Sequence, residues 1–275
     1  MKEYNLPTTQ DALSSLSSGD SIRHIVSISG GKDSAALALY LRQEYPEIPV
    51  EYVFCDTGCE LPETYEFIER IEALLGATVH RLNALDLLNV RKKAGRTPFD
   101  VYLNELYGGF LPSARARWCT RVLKIEPFEA FVGEDTAYSY IGIRGDEDRD
   151  GYQAKKPPVI SQQPNILPVY PFKDDKKGLQ DILDILERSG LGLPEYYKWR
   201  SRSGCYFCFY QQIGEWQRLK DEHPDLFKKA EQYEKTVGAK SFTWHEGRTL
   251  EEISELSDRH PVPNDRGEGC TICHV

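Results

Sequence analysis

The stretch His24-Ile25-Val26-Ser27-Ile28-Ser29-Gly30-Gly31-Lys32-Asp33-Ser34 decides how the rest of the chain is read. Its first six residues form a short apolar run rich in β-branched side chains, the composition of a buried strand. After the glycine pair, Ala35, Ala36, Leu37, Leu39 and Tyr40 recur at a spacing that predicts a helix over about 32–43. A strand that turns through two glycines into a helix is built to receive an anion. The glycines permit a sharp turn and close backbone approach. The N–H groups at the helix start point at the anion, and the helix dipole favours it. Lys32 adds a full positive charge, and Ser34 can cap the helix or donate to a phosphate oxygen. The spacing is not that of the Walker loop, which needs four residues between its first glycine and Gly-Lys-Ser/Thr.

Working outward, the same alternation repeats. Residues 50–55 read as a second strand, and Pro62 opens a helix carried by Ile68, Ile71, Leu74 and Leu75. Residues 78–82, 137–143 and 166–170 read as three further strands, and 124–132 as a helix. Segment 86–120 reads as an insertion of short helices and loops, and 145–164 as a polar loop. Strands alternating with helices imply parallel pairing. The expected fold is therefore α/β: an open, mainly parallel five-stranded sheet with helices on both faces, over residues 1–175. Residues 176–275 read as a helical, cysteine-containing region, with helices over 211–222, 224–236 and 250–256.

Composition narrows the setting. Hydrophobic residues make up 40% and charged residues 28% of 275, ordinary for a soluble protein with a full core. No apolar run approaches the length of a membrane span, and the first residues lack the apolar core of a signal peptide, so the expectation is a cytoplasmic protein without a membrane partner. Seven cysteines, an odd number, point in a reducing compartment to metal binding or chemistry rather than to bridges. A net charge of -9 argues against nucleic-acid binding by the whole surface. Two basic stretches, Arg115/Arg117/Arg121/Lys124 and Lys198/Arg200/Arg202, nevertheless flank cysteines and suggest a shared anion-binding cleft.

The hexapeptide Ser29-Gly30-Gly31-Lys32-Asp33-Ser34, in its strand-to-helix setting, resembles the PP-loop family of ATP pyrophosphatases. The resemblance implies an adenine nucleotide α-hydrolase-like sheet. Its loop grips the β and γ phosphates of ATP and leaves the α phosphate open to attack, with Mg2+ neutralising the polyphosphate. Ser29, Gly30, Gly31, Lys32, Asp33 and Ser34 would bind ATP, with Lys32 and Asp33 acting in catalysis. Asp56-Thr57-Gly58 with Pro62-Glu63-Thr64-Tyr65 is similar to the signature of the PAPS reductase branch, and Gly142-Ile143-Arg144 to that branch's Gly-x-Arg segment. Asp56 would then hold magnesium or a ribose hydroxyl, and Arg144 would meet phosphate or substrate. A plain helix-entry turn at Asp56, and pairing of Arg144 with Asp146 or Glu147, are the simpler alternatives.

Within the branch, Trp118-Cys119-Thr120-Arg121-x-Leu123-Lys124 and Gly204-Cys205-x-x-Cys208 resemble the DNA phosphorothioation pyrophosphatase, which carries an iron–sulfur cluster. That resemblance implies activation of a DNA phosphate by ATP, a cysteine desulfurase as sulfur donor and, as a further possibility, a homo-oligomer. Two ligand sets compete. Cys205/Cys208 with Cys270/Cys273 has the layout of a four-cysteine zinc site. Cys119, Cys205 and Cys208 with one tail cysteine, taken as Cys270, would hold a [4Fe-4S] cluster and leave Cys273 to carry sulfur as a persulfide. The related reductases place a Cys-Cys pair where this chain has Trp118-Cys119, which is why the fourth ligand is sought in the tail. A PAPS or APS reductase and a tRNA thiolation enzyme remain the other readings. The end Gly269-Cys270-Thr271-Ile272-Cys273-His274 departs from the reductase tail Glu-Cys-Gly-x-His. Cys55 and Cys59, beside the Asp56 turn, read as packing residues.

Overall fold

The computed structural model describes residues 6–18, 21–92, 94–147, 161, 163–237 and 240–262. A first helix, α1 (Thr9–Ser15), is closed by a capping box between Thr8 and Asp11. Strand β1 (Arg23–Ser27) then feeds α2 (Lys32–Glu44), and β2 (Val50–Cys55) feeds α3 (Pro62–Leu75). Pro62 stands in the first turn of α3, where its missing N–H costs nothing, and Gly76 ends the helix in the left-handed conformation at φ 57°. Next come β3 (Val79–Leu82), α4 (Ala84–Leu87), α5 (Pro98–Val101), α6 (Trp118–Thr120) and α7 (Glu126–Val132). Strands β4 (Ala137–Tyr140) and β5 (Ile166–Val169) complete the main sheet, followed by α8 (Pro171–Asp174) and α9 (Leu179–Arg188). Helices α10 (Ile213–Glu222) and α11 (Pro224–Glu231), the strand pair β6 (Lys235–Val237) and β7 (Lys240–Phe242), and α12 (Leu250–Ser254) follow.

The main sheet runs β3-β2-β1-β4-β5, and every pairing is parallel. β1 is central. The chain winds from it one way through β2 and β3, then returns to its other side through β4 and β5. This reversal between β1 and β4 opens a crevice at the carboxyl ends of the strands, the place where open α/β sheets take their ligands. One face of the sheet, with Val26, Tyr52, Phe54 and Tyr138, packs on α2, α3 and Ile182 and Leu186 of α9. The other face, with Ile25, Val53 and Ala137, packs on Phe128 and Val132 of α7. Helices therefore cover both faces, as the strand–helix alternation implies.

A second core is built largely from aromatic rings. Phe99 lies 4.3 Å from Phe207 and 5.4 Å from Trp118 between ring centroids, and Phe207 stacks on Trp244 at 4.8 Å. It draws on residues 59–123 and 196–253 together, and Cys59 and Leu61, just past β2, tie it to the carboxyl edge of the sheet.

Two expected helices change shape. The helix expected over 124–132 begins at Glu126 and follows a wide π-helical turn, Arg121–Ile125. Pro127 has no N–H and its ring crowds the carbonyl four residues back, so a regular turn cannot continue through it. The helix expected over 224–236 stops at Glu231. Lys235–Val237 instead pairs antiparallel with Lys240–Phe242, in keeping with the β-branched Thr236 and Val237. Among the described residues no helix is long and apolar enough to cross a membrane.

Candidate nucleotide and thiol site

The loop between β1 and α2 stands at the crevice. Its shape is held by serine hydroxyls: Ser34 Oγ accepts from the Ser29 N–H at 3.0 Å and donates to the Gly31 carbonyl at 3.1 Å, and Ser29 Oγ accepts from the Gly31 N–H at 3.3 Å. The glycines are required by what presses on them. Gly30 has φ +74°, and a Cβ there would overlap the Thr64 methyl on α3. A Cβ on Gly31 would come within 2.7 Å of Ser203 Oγ.

Lys32 and Asp33 are the first two residues of α2, and both are buried, at 1% and 3% exposure. Asp33 bridges two cations. Its Oδ1 accepts from Arg144 Nη1 at 2.8 Å, and its Oδ2 lies 3.3 Å from Lys32 Nζ. Arg144, on the segment after β4, also meets Asp146 at 3.0 Å and Glu147 at 2.6 Å. The expected pairing of Arg144 with Asp146 and Glu147 is present, and Arg144 also reaches Asp33 of the loop. Gly142 eases this close approach, since a Cβ there would press on the Asp33 carbonyl oxygen at 3.1 Å. Asp56 is half-buried at the end of β2, and its Oδ1 accepts from the Gly58 N–H and the Tyr65 hydroxyl, each at 2.8 Å.

The thiols gather nearby. Cys119, Cys205 and Cys208 line one cavity of about 50 Å³ with Thr57, Lys124 and Tyr210. Cys205 Sγ lies 3.3 Å from Thr57 Oγ1 and donates to Glu60 Oε1 at 3.7 Å. The Cys-x-x-Cys turn is closed by the Cys208 N–H donating to the Cys205 carbonyl at 3.0 Å. Burial pushes the Cys119 thiol up to about 12 and the Cys205 thiol well above the ordinary range. Both are therefore neutral thiols at pH 7, and a metal centre would take the place of their protons.

Arg200, 1% exposed, donates to the carbonyls of Gly204 at 3.1 Å and Cys205 at 2.9 Å. Arg121 pairs with Glu126, and Lys198 with Glu195. Arg117 and Arg202 converge on Tyr210: Arg117 Nη1 donates to its hydroxyl at 3.4 Å, and the Arg202 guanidinium lies 5.3 Å over its ring. Arg117 of one basic stretch and Arg202 of the other thus meet at Tyr210, which lines the cavity.

The two halves of the site touch through the segment 196–205. Tyr196 donates its hydroxyl to the Gly30 carbonyl at 2.7 Å, and Ser203 Oγ lies 3.5 Å from Ser29 Oγ, two residues before Cys205. Tyr196, Tyr197, Ser203 and Glu60 carry no motif of their own. Sequence reading passes over them because the contacts that place them at the site, to Gly30, Lys32, Ser29 and Cys205, join positions far apart along the chain. The excess of tyrosine and arginine before Gly204-Cys205 is the one trace they leave.

A phosphoadenosine phosphosulfate reductase domain model matches residues 23–218. The chain belongs to that family. Membership places it in the PAPS reductase-like branch of the PP-loop superfamily, as the loop and the Asp56 turn imply, and among relatives of an enzyme of sulfur metabolism. The chain is 30% identical over 214 residues to an uncharacterized protein of Methanocaldococcus jannaschii, covering 75% of this chain and 40% of that one. The match covers 45% of a second protein of the same organism, so the chain spans less than half the length of these curated relatives. Among solved structures, the PAPS reductase of Candida auris aligns with 14% identity and a TM-score of 0.45, over 68% of this chain and 82% of that one. The U34-tRNA thiolase of Methanococcus maripaludis, solved with its [4Fe-4S] cluster, aligns with 15% identity and a TM-score of 0.39, over 78% and 71%.

The cysteines can be weighed against the two metals expected. Among the described residues no three His, Cys, Asp or Glu side chains close around a single point as a metal-ion site. Cys119, Cys205 and Cys208, three of the four thiols expected for a [4Fe-4S] cluster, line one cavity. Cys270 and Cys273 lie outside the described residues. Cys55 and Cys59 are buried away from the cavity lining. Cys55 donates to the Lys124 carbonyl at 3.5 Å, and Cys59 to Thr97 Oγ1 at 3.5 Å. Burial pushes the Cys55 thiol up to about 12 and the Cys59 thiol higher still.

Proposed function

We propose that the chain cleaves ATP to AMP and pyrophosphate, and uses the AMP moiety to activate an acceptor oxygen for replacement by sulfur. The observation that carries this reading is adjacency: an intact phosphate loop with a buried Lys32–Asp33–Arg144 cluster touches, through Ser203, the segment that ends in Cys205. In this reading Lys32 and the N–H groups at the start of α2 hold the β and γ phosphates, and Arg144 steadies charge as the bond between the α and β phosphates lengthens. Asp33 keeps both cations oriented. Asp56, at the same edge, is suited to hold Mg2+. An acceptor oxygen attacks the α phosphorus and pyrophosphate leaves. A sulfur nucleophile then attacks the activated centre, and AMP leaves with the original oxygen.

Cys119, Cys205 and Cys208, with Cys270 from the tail, would hold a [4Fe-4S] cluster beside that reaction. Cys273 would carry sulfur delivered by a cysteine desulfurase. The acceptor favoured is a phosphate of the DNA backbone, supported by the resemblance of the Cys119 and Cys205 segments and by Arg117 and Arg202, which meet at Tyr210 beside the cavity. The decisive assay is formation of AMP and pyrophosphate from labelled ATP, with DNA and a desulfurase-loaded sulfur donor present. AMP formation that fails in Lys32→Ala supports the reading. Absence of AMP in the wild type, with sulfite released from PAPS and reduced thioredoxin, would replace it with a sulfonucleotide reductase.

A further inference from the structure

Tyr197 lies on the segment that joins the two halves of the site. Its hydroxyl oxygen accepts a hydrogen bond from the Lys32 backbone N–H at 3.4 Å. Its ring lies 5.4 Å from the Lys32 ammonium. The next ring, Tyr196, is anchored to the Gly30 carbonyl. Gly31, the N-cap of α2, has no side chain with which to cap the helix. The Lys32 N–H belongs to the first turn, whose donors no carbonyl within the helix can take. In the structure the Tyr197 hydroxyl takes it. A phosphate oxygen bound at a helix N-terminus takes the same kind of donor.

We propose that Tyr197 is a displaceable residue of the nucleotide site. Its hydroxyl occupies the Lys32 N–H in place of a phosphate oxygen and withdraws when ATP enters. The inference rests on the reading of this loop as the ATP site. The competition favours ATP, because a charged phosphate oxygen makes a hydrogen bond roughly twice as strong as a neutral hydroxyl does. It still lowers the observed affinity, since only chains in which the donor is released can bind fully. The ring acts separately. Its π face supports the Lys32 ammonium, which also pairs with Asp33. Withdrawal of the hydroxyl moves a segment that carries Ser203 and Cys205 a few residues on, so nucleotide entry is transmitted to the thiol cavity.

Tyr197→Phe separates the hydroxyl from the ring, because it removes one oxygen and keeps the π face. Equilibrium binding of Mg·ATP should be about three- to fivefold tighter in Tyr197→Phe than in the wild type, the size expected for one neutral hydrogen bond that no longer competes. Equal or weaker binding by a folded Tyr197→Phe, beside a wild type that binds, overturns the proposal and leaves the ATP reading intact. A wild type that does not bind Mg·ATP removes the ATP reading itself, and this proposal with it. Amide hydrogen exchange on the wild type is an independent check. Mg·ATP should slow exchange in 29–34 and speed it in 195–203. Unchanged or slower exchange in 195–203 overturns the displacement.

Discussion

The phosphate loop and the thiol cavity are neighbours, and they treat buried charge in opposite ways. At the loop every buried charge meets an opposite one: Lys32 and Arg144 share Asp33, and Arg144 also meets Asp146 and Glu147. At the cavity the thiols are held neutral by burial, and the buried Arg200 meets only backbone carbonyls. Among the described residues no carboxylate pairs with Arg200, and its Nε has no hydrogen-bond partner. The difference follows from what each region is suited to receive. A polyphosphate brings its own negative charge and can take over cations that acids hold in the meantime. A cluster ligated by thiolates is negative only once assembled, and a positive charge without a carboxylate partner beneath it favours that state.

The comparison breaks most sharply at Arg144. Replacing it by alanine leaves Asp33 and Glu147 buried with one cation fewer, and losing one partner of a buried pair costs about 3–5 kcal/mol. Denaturant unfolding of Arg144→Ala should register a loss of that order. A loss within about 1 kcal/mol, the range of exposed pairs, would mean that the cluster is solvated and that the charge pairing described is not what holds the loop.

Lys32→Ala tests the same cluster through chemistry. Removing a clamp from a transferring phosphoryl group costs on the order of 10²–10³ in rate. AMP formation should fall by that factor, and stability should fall less than in Arg144→Ala, because Asp33 keeps Arg144 and Glu147 keeps its partner. Asp33→Ala is a poorer test, since it strips both cations of their shared acid. Asp33→Asn keeps the shape and separates charge from packing. Wild-type turnover in Lys32→Ala removes the loop from the reaction.

These two regions also differ in how far the sequence alone reveals them. The loop is contiguous. Six residues, their glycines and the flanking apolar run carry its conformation and its chemistry, and the five strands follow from local alternation. The cavity is assembled from positions 57, 119, 124, 205, 208 and 210, which local spacing cannot bring together. Resemblance named its cysteines, whereas the ring-lined core behind it and the tyrosines that cross to Gly30 and Lys32 emerge only from the folded chain. The helix expected through Thr236 failed because Thr236 and Val237 find a partner strand, a tertiary pairing that overrides the helical pattern before it.

Arg200→Met sharpens the cavity side. Methionine fills the space, removes the buried charge and frees the carbonyls of Gly204 and Cys205. Stability should fall by about 1–2 kcal/mol, because the loss of two hydrogen bonds is partly offset by the relief of a buried cation. The Cys205–Cys208 turn should loosen, read as faster thiol labelling of the metal-free protein and lower iron retention after anaerobic reconstitution. Labelling and iron content equal to the wild type would show that the turn holds its shape without Arg200.

The smallest effect belongs to Cys59. It is near the cavity in sequence terms, three residues past Asp56, yet it faces the aromatic core at 1% exposure, and its thiol donates to Thr97 Oγ1. Burial keeps it protonated, which makes it a poor nucleophile, and it stands outside the lining of the cavity that Cys119, Cys205 and Cys208 share. Cys59→Ser exchanges a weakly polar thiol for a hydroxyl that can use the same acceptor. The cost is about 1 kcal/mol of desolvation, which in a chain of this length lowers the melting temperature by roughly 2–4 °C. AMP formation, iron content and sulfur transfer should match the wild type. A folded Cys59→Ser that is inactive would move the chemistry from the cavity lined by Cys119, Cys205 and Cys208 to the turn after β2.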